Sequence, residues 1–359
     1  MFLLVGSIEA PAQLIDPQPK VMTFGSGDPA NNTAAPTGAL TNSGWQFLGD
    51  WGITDVFFGT NAPTFVAVPI SPRFFITAAH ISGKVGDPFV YHGQTYTTVS
   101  YSDNLNNHFG TYSGATDLRI WKVDHDFDSW ATLSTNLNEV GMACVGFGRG
   151  TERGDPFYLP VPHLETNVVT NISTTVYQTN VDLRSVRASR QSLRETYPDA
   201  IFHGHTMSLL VTNMIEDIET NVVTVPETLR GWKLGPFDGV LRWGTNVISA
   251  VYGTLSVSEF RADAGADEAT FSFGDSGGPI FGLNRSTGNW DLIGVDFGSE
   301  PPFSITKDGT FEFACLFDKS GFWQYPDYYY PLDGVVKPTL CYFTRIVSSL
   351  SWIRSVLRQ

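Results

Sequence analysis

The sequence predicts an all-β protein, and three observations carry that reading. Glycine and proline are frequent, at 35 and 21 of 359 residues, while charged residues make up only 16%. Apolar stretches are mostly short and bounded by turn residues, a texture of many short strands joined by turns. Hydrophobic residues at 42% and aromatics at 13% supply apolar surface for a large core, which excludes a disordered chain. The length suggests two or three compact units.

Residues 1–44 are rich in Pro, Asn and Gly with little periodicity and read as an extended tail on the surface. Their start, Met1-Phe2-Leu3-Leu4-Val5-Gly6 followed by Ala10-Pro11-Ala12, looks like the end of a secretion signal, although it lacks a basic beginning. The expectation is a secreted or periplasmic protein. No apolar run reaches the 18 or so residues of a membrane span.

From about residue 45 the texture changes to β-type runs: Thr64 to Ile70, Arg73 to Thr77, Pro88 to Tyr96 and Asp117 to Val123. His92-Gly93 interrupts the third as a turn. The polar stretch from Asp124 to Glu139 reads as a connector. A second β-rich block begins at Val140 and resumes at Val247 to Val257. It continues through Ala269 to Phe273, Ile280 to Leu283, Trp290 to Phe297 and Thr339 to Ile346. Val347, Leu350, Ile353, Val356 and Leu357 then recur at helical spacing, which predicts a closing helix over 347–357. Two stretches break the pattern: 183–231, which carries most of the mid-chain Arg and a short helix near Ser185 to Glu195, and 299–338, rich in Pro and aromatics.

The formal net charge is −14. Binding a phosphate backbone needs clustered Lys and Arg, so nucleic acid is not an expected partner. The three cysteines, Cys144, Cys315 and Cys341, match no zinc spacing. Cys315 and Cys341 could pair, and the sequence leaves that open. His203-Gly204-His205 lacks a nearby Cys or acidic cluster and reads as a loop. Asp263, Asp267 and Glu268 read as a solvated acidic stretch, since their spacing fits no EF-hand loop. Tyr328, Tyr329 and Tyr330 read as core or pocket lining. No metal or cofactor is expected.

The most telling run is Gly274-Asp275-Ser276-Gly277-Gly278-Pro279. Glycines around a serine leave its hydroxyl unscreened and let backbone N–H groups converge on one point, as an oxyanion hole requires. Nucleophilic serine chemistry also needs a base, and a carboxylate to set the imidazole tautomer. His80 ends Phe74-Phe75-Ile76-Thr77-Ala78-Ala79-His80, where a hydrophobic strand delivers it to a turn of small residues. Asp117 heads the strand Thr116-Asp117-Leu118-Arg119-Ile120-Trp121-Lys122-Val123.

Chain order discriminates between serine hydrolase classes. The loop also satisfies the G-x-S-x-G pattern of α/β-hydrolases, but those place the histidine after the serine. The last histidine here is His205. Subtilisin-type order puts the aspartate first, and Asp55 has no supporting motif. Only His80, Asp117, Ser276 fits a known order with three motifs.

These three segments resemble the histidine, aspartate and serine motifs of the trypsin-like (chymotrypsin-fold) serine peptidases. Val145-Gly146-Phe147-Gly148-Arg149, Val295-Asp296-Phe297-Gly298, Phe343-Thr344-Arg345-Ile346 and Ser351-Trp352-Ile353 extend the resemblance to roughly residues 60–125, 140–150 and 245–357. It implies two six-stranded antiparallel β-barrels, one over 45–130 carrying His80 and Asp117, the other over 131–359 carrying Ser276, with large insertions near 183–231 and 299–338. It further implies a peptidase acting on protein or peptide substrates without metal or cofactor. Ser276 is then the nucleophile, His80 the base and Asp117 its orienting carboxylate, with the N–H groups of Gly274 and Ser276 as oxyanion hole. Thr270, Phe273, Asp296, Phe297 and Gly298 become the substrate-binding candidates. The competing expectation is a protease-fold binding or scaffold protein with little turnover.

The chain departs from the family at several points. Members that cleave after Lys or Arg carry an aspartate six residues before the nucleophile, and here that residue is Thr270, which favours a small or medium apolar side chain. Family zymogens pair a freed N-terminus with the residue equivalent to Asp275, yet no Ile-Val-Gly-Gly sequence precedes His80. Asp275 is therefore expected to find another partner. Asp296 takes the place of a serine that hydrogen-bonds the triad carboxylate. It is expected either to stay protonated and donate to Asp117 or to lie solvated after a one-residue register shift.

Overall fold

The computed structural model describes residues 21–23, 25–26, 32–52, 65–81, 83–106, 116–159, 164–185, 187–224, 228–300 and 302–359. The start of the tail, including the signal-like residues, lies outside them, as does Asp55.

Two closed six-stranded antiparallel barrels form the body. The first runs, in order of pairing, through Gly49–Trp51, Phe65–Ser71, Phe74–Ala78, Thr116–Val123, Gln94–Asn106 and Pro88–Tyr91, which returns to pair with Gly49–Trp51. Its sequence explains its closure. Phe74–Ala78 is buried along its whole length, so both faces of this strand are covered. Phe75 stacks on Phe89 with ring centroids 4.1 Å apart, and Trp51 packs against Phe75 and Trp121, filling the barrel with aromatic rings. The turn expected at His92-Gly93 separates Pro88–Tyr91 from Gln94–Asn106, with both residues at positive φ.

The second barrel is ordered Arg242–Tyr252, Leu255–Glu259, Leu340–Arg345, Asn289–Ser299, Pro279–Asn284 and Ala143–Gly148, closing back on Arg242–Tyr252. Helix Ile346–Val356 follows, burying Ile346, Ile353 and Val356. One continuous hydrophobic cluster joins the barrels, taking Phe75, Leu118 and Trp121 from the first, Val145, Phe147, Phe281 and Val295 from the second, and Ile353 from the helix. Two closed barrels with a C-terminal helix constitute the trypsin-like fold.

The connector ends in a buried ion pair: Arg345 Nε donates to Glu139 Oε2 at 2.7 Å, and the Ser256 hydroxyl donates to the same oxygen at 2.6 Å. Of the segment read as a surface tail, residues 32–44 lie against the second barrel. Trp243 N–H donates to the Asn32 carbonyl at 3.1 Å, and the Trp243 indole to that of Ala34 at 2.9 Å.

An accessory three-stranded sheet, Thr151–Leu159, Thr228–Phe237 and Ala314–Leu316, belongs to the same compact body. The 299–338 stretch adds a small sheet of Phe303–Ser304, Trp323–Gln324 and Tyr328–Tyr329. Tyr328 and Tyr329 are exposed there, against the expectation of core or pocket lining. A buried pair anchors this insertion: Lys319 Nζ bonds both oxygens of Glu300 at 2.8 and 2.7 Å, and Glu300 also accepts from Leu340 N–H at 2.9 Å.

Residues 160–227 form a separate compact unit. It is a hairpin of two 19-residue strands, Leu164–Asp182 and Thr206–Thr224, with helix Arg190–Thr196 and strand Ile201–His203 between them. The unit starts upstream of the 183–231 range read from the Arg content, because the strand Leu164–Asp182 pairs with Thr206–Thr224 and not with either barrel.

Candidate active site

His80 sits just past the end of Phe74–Ala78, and Asp117 heads Thr116–Val123, the strand paired with it. Three hydrogen bonds lock the histidine turn onto this aspartate. Ala79 N–H donates to the Asp117 carbonyl at 3.1 Å, His80 N–H donates to Oδ1 at 2.9 Å, and His80 Nδ1–H donates to Oδ2. Asp117 is 1% exposed while His80 keeps 39% of its side chain in solvent. A carboxylate accepting at Nδ1 fixes the proton there and leaves the lone pair on Nε2, the arrangement of a general base. Arg119, two residues along, donates to the Ile81 carbonyl at 3.3 Å and to Asp103 at 2.6 Å, steadying the far side of the turn.

The serine loop is shaped by two glycines at positive φ, Gly274 at 95° and Gly277 at 79°. Asp275 N–H donates to the Ser272 carbonyl at 3.2 Å and Gly278 N–H to that of Asp275 at 2.8 Å, closing a tight turn around Ser276. The loop is stitched to Asn289–Ser299 by Gly277 N–H to the Asp296 carbonyl at 3.3 Å and Asp296 N–H to the Gly278 carbonyl at 2.8 Å. It packs directly on the histidine strand. A Cβ on Gly277 would fall 2.5 Å from Ile81 Cδ1, 3.1 Å from Ala78 N, and closer still to Thr77 Oγ1. The serine, histidine and aspartate segments thus come together across the two barrels. Among the described residues, the N–H groups of Gly274 and Ser276 donate to no protein acceptor. Two such donors flanking a serine are what a carbonyl oxygen needs.

Asp275 finds its partners without a freed N-terminus. Its Oδ2 accepts from Ser272 N–H at 2.7 Å and from the Ser272 hydroxyl at 3.1 Å, and its carboxyl also takes the Gly150 N–H. Complete burial pushes it up to about 7. Asp296 is 2% exposed, so the solvated alternative fails. Burial, then the neighbouring Asp275 and Asp117 charges, push it well above the carboxylate range, and its Oδ1 has no hydrogen-bond partner among the described residues. The Asp296 carboxyl takes the backbone N–H groups of Gly298 and Phe297, and among the described residues no hydrogen bond links it to Asp117.

The remaining substrate-binding candidates divide. Thr270 is buried with its hydroxyl against Cys341 Sγ. Phe297 packs on the cluster of Leu255, Val257 and Tyr342, and Gly298 has φ of 154° with open space where a Cβ would stand. Phe273 is exposed beside the loop. The pairing left open for Cys315 and Cys341 does not form: all three cysteines are free and buried. Cys341 packs with Met142, Cys144, Phe271 and Phe343, whereas Cys315 packs with Trp232, Phe260 and Phe317, and the Thr270 side chain bonds both thiols.

Sequence reasoning missed Phe237 and Phe313, which the accessory sheet brings to the serine loop. No local signal marked either ring, because each is placed by strand pairing between distant segments. Among the described residues no group of three His, Cys, Asp or Glu is placed to hold a metal, and no helix is long and apolar enough to cross a membrane.

No protein-family model matches this chain, and no curated protein does. Among solved structures the chain is similar to neuropsin, a serine protease expressed in the limbic system of mouse brain, at 11% identity and a TM-score of 0.43, over 88% of this chain and 96% of that one. The class of the fold rests on its own two closed barrels.

Proposed function

We propose that this protein is a serine endopeptidase. Ser276 Oγ attacks the scissile carbonyl while His80 Nε2 takes its proton, and the Gly274 and Ser276 N–H groups receive the developing oxyanion. His80 then passes the proton to the leaving amine, and water repeats the sequence on the acyl-enzyme. The observation that carries the reading is the double bonding of His80 to buried Asp117, with the serine loop packed on the same turn. Because Asp275 is already held by Ser272 and Gly150, the loop is built for activity without a cleavage that frees an N-terminus.

Side-chain preference is not trypsin-like. Thr270 carries no charge, and two acids of the 299–338 insertion are paired, Glu300 with Lys319 and Glu312 with Lys233. An uncharged apolar residue is the expected preference.

Hydrolysis of denatured casein by the wild type, Ser276→Ala, His80→Ala and Asp117→Asn tests the assignment. Removing the serine should cost about 10⁶ in rate. Wild-type protein with no more turnover than Ser276→Ala would show a binding or scaffold protein in a protease fold.

A further inference from the structure

Three phenylalanines from three separate segments converge on the serine loop. Phe273 belongs to the loop, one residue ahead of Gly274. Phe313 comes from the 299–338 insertion, and its ring meets that of Phe273 edge-on with centroids 4.5 Å apart. Phe237 ends Thr228–Phe237, and its ring covers the side of Gly274 where a Cβ would point, with Cδ2 at 3.1 Å from that position.

The accessory sheet holds the last two in place. Phe313 immediately precedes Ala314–Leu316, the strand paired with Thr228–Phe237. Its carbonyl accepts from Leu234 N–H at 2.8 Å, and Lys233 bridges Glu312 at 3.0 Å on the neighbouring residues. Phe273 and Phe313 are nonetheless 48% and 44% exposed. Rings held this firmly yet left half in water retain apolar surface that a ligand can cover.

We propose that Phe273 and Phe313 form a subsite for a large apolar side chain flanking the scissile bond, so that the preferred substrates are extended polypeptide segments with Phe, Leu or a similar residue there. The inference rests on the peptidase reading for the identity of its ligand. A carbonyl oxygen bound at the Gly274 and Ser276 N–H groups lies beside the residue that carries the Phe273 ring. A bound chain therefore runs along the ring pair. The neighbouring charges, Glu312 and Lys233, satisfy each other, so an apolar side chain is accepted and a charged one finds no partner.

Peptide binding to the Ser276→Ala protein tests this without turnover. The probes are fluorescein-labelled octapeptides in which each position in turn carries Phe, Leu, Ser or Asp. At one position Phe or Leu should bind at least about tenfold tighter than Ser. Adding Phe313→Ala should bring that ratio close to one, while Phe313→Leu, which keeps an apolar side chain, should retain the preference over Ser and weaken Phe relative to Leu. An apolar preference absent at every position, or a ratio unchanged in both Phe313 variants, overturns the subsite. Labelling of wild-type protein by a fluorophosphonate is read separately. Its failure alongside an intact, Phe313-dependent preference would overturn the peptidase reading and uphold the subsite.

Discussion

Replacing Gly277 by alanine tests whether the serine loop and the histidine turn meet as described. Two costs can be read from the structure. A residue with a Cβ at φ of 79° costs about 1–2 kcal/mol relative to its relaxed backbone. The new methyl group also lands 2.5 Å from Ile81 Cδ1 and 3.1 Å from Ala78 N, and overpacking of that kind costs typically about 1–3 kcal/mol. The sum is roughly 2–5 kcal/mol in chemical denaturation. Relief of the clash separates Ser276 from His80, and a displacement near 1 Å costs on the order of 100-fold in rate. Gly288 supplies the control, since its φ is 74° and nothing lies within 4 Å of its missing Cβ. Gly288→Ala should lose only the backbone contribution and keep the wild-type rate of fluorophosphonate labelling. Equal stability losses in the two variants, with Gly277→Ala labelled at the wild-type rate, would refute the juxtaposition.

Further outcomes follow from the buried charges. Burial raises Asp275 to about 7, so its neutral form is the one the fold favours; stability is greatest below the ordinary carboxylate range and declines as pH rises to about 7. A rise of that size corresponds to roughly 4 kcal/mol, and Asp275→Asn, measured by urea denaturation from pH 4.5 to 8, should flatten much of the decline. Asp296→Asn should act in the same direction, stabilising the protein most at the alkaline end. Lys319→Met leaves Glu300 buried without its cation and should cost about 3–5 kcal/mol, much of it recovered by adding Glu300→Gln. Glu139→Ala strands buried Arg345 and should cost a similar about 3–5 kcal/mol. A loss below about 1 kcal/mol in either single variant would show that the pair is not buried as described.

The parts of the site that sequence revealed are those carried by local chemistry. His80 follows a strand apolar enough to be buried on both faces, and the small residues after it admit only a tight turn. Ser276 stands among glycines whose backbone angles are nearly forbidden to other residues. The rest depends on what distant segments do. Asp275 required knowing that Gly150 comes alongside Ser272. Cys315 and Cys341 come from different hydrophobic clusters, and the Thr270 side chain bonds both thiols. Asp296 looked able to lie in solvent, yet the strand register places its backbone between Gly277 and Gly278 and buries its carboxyl. Phe313 was invisible because its position is fixed by pairing with a strand some eighty residues earlier, through Leu234. The start of the unit over 160–227 lay upstream of the Arg-rich stretch because Leu164–Asp182 is fixed by pairing with Thr206–Thr224, further along the chain, and carries none of the Arg that marked the insertion.

The most direct measurement is peptide mapping by mass spectrometry after reaction with a fluorophosphonate. A single adduct on Ser276 in the wild type, lost in Ser276→Ala and slowed by orders of magnitude in His80→Ala, is the predicted result. An unreacted Ser276, or labelling that proceeds equally without His80, would contradict the assignment.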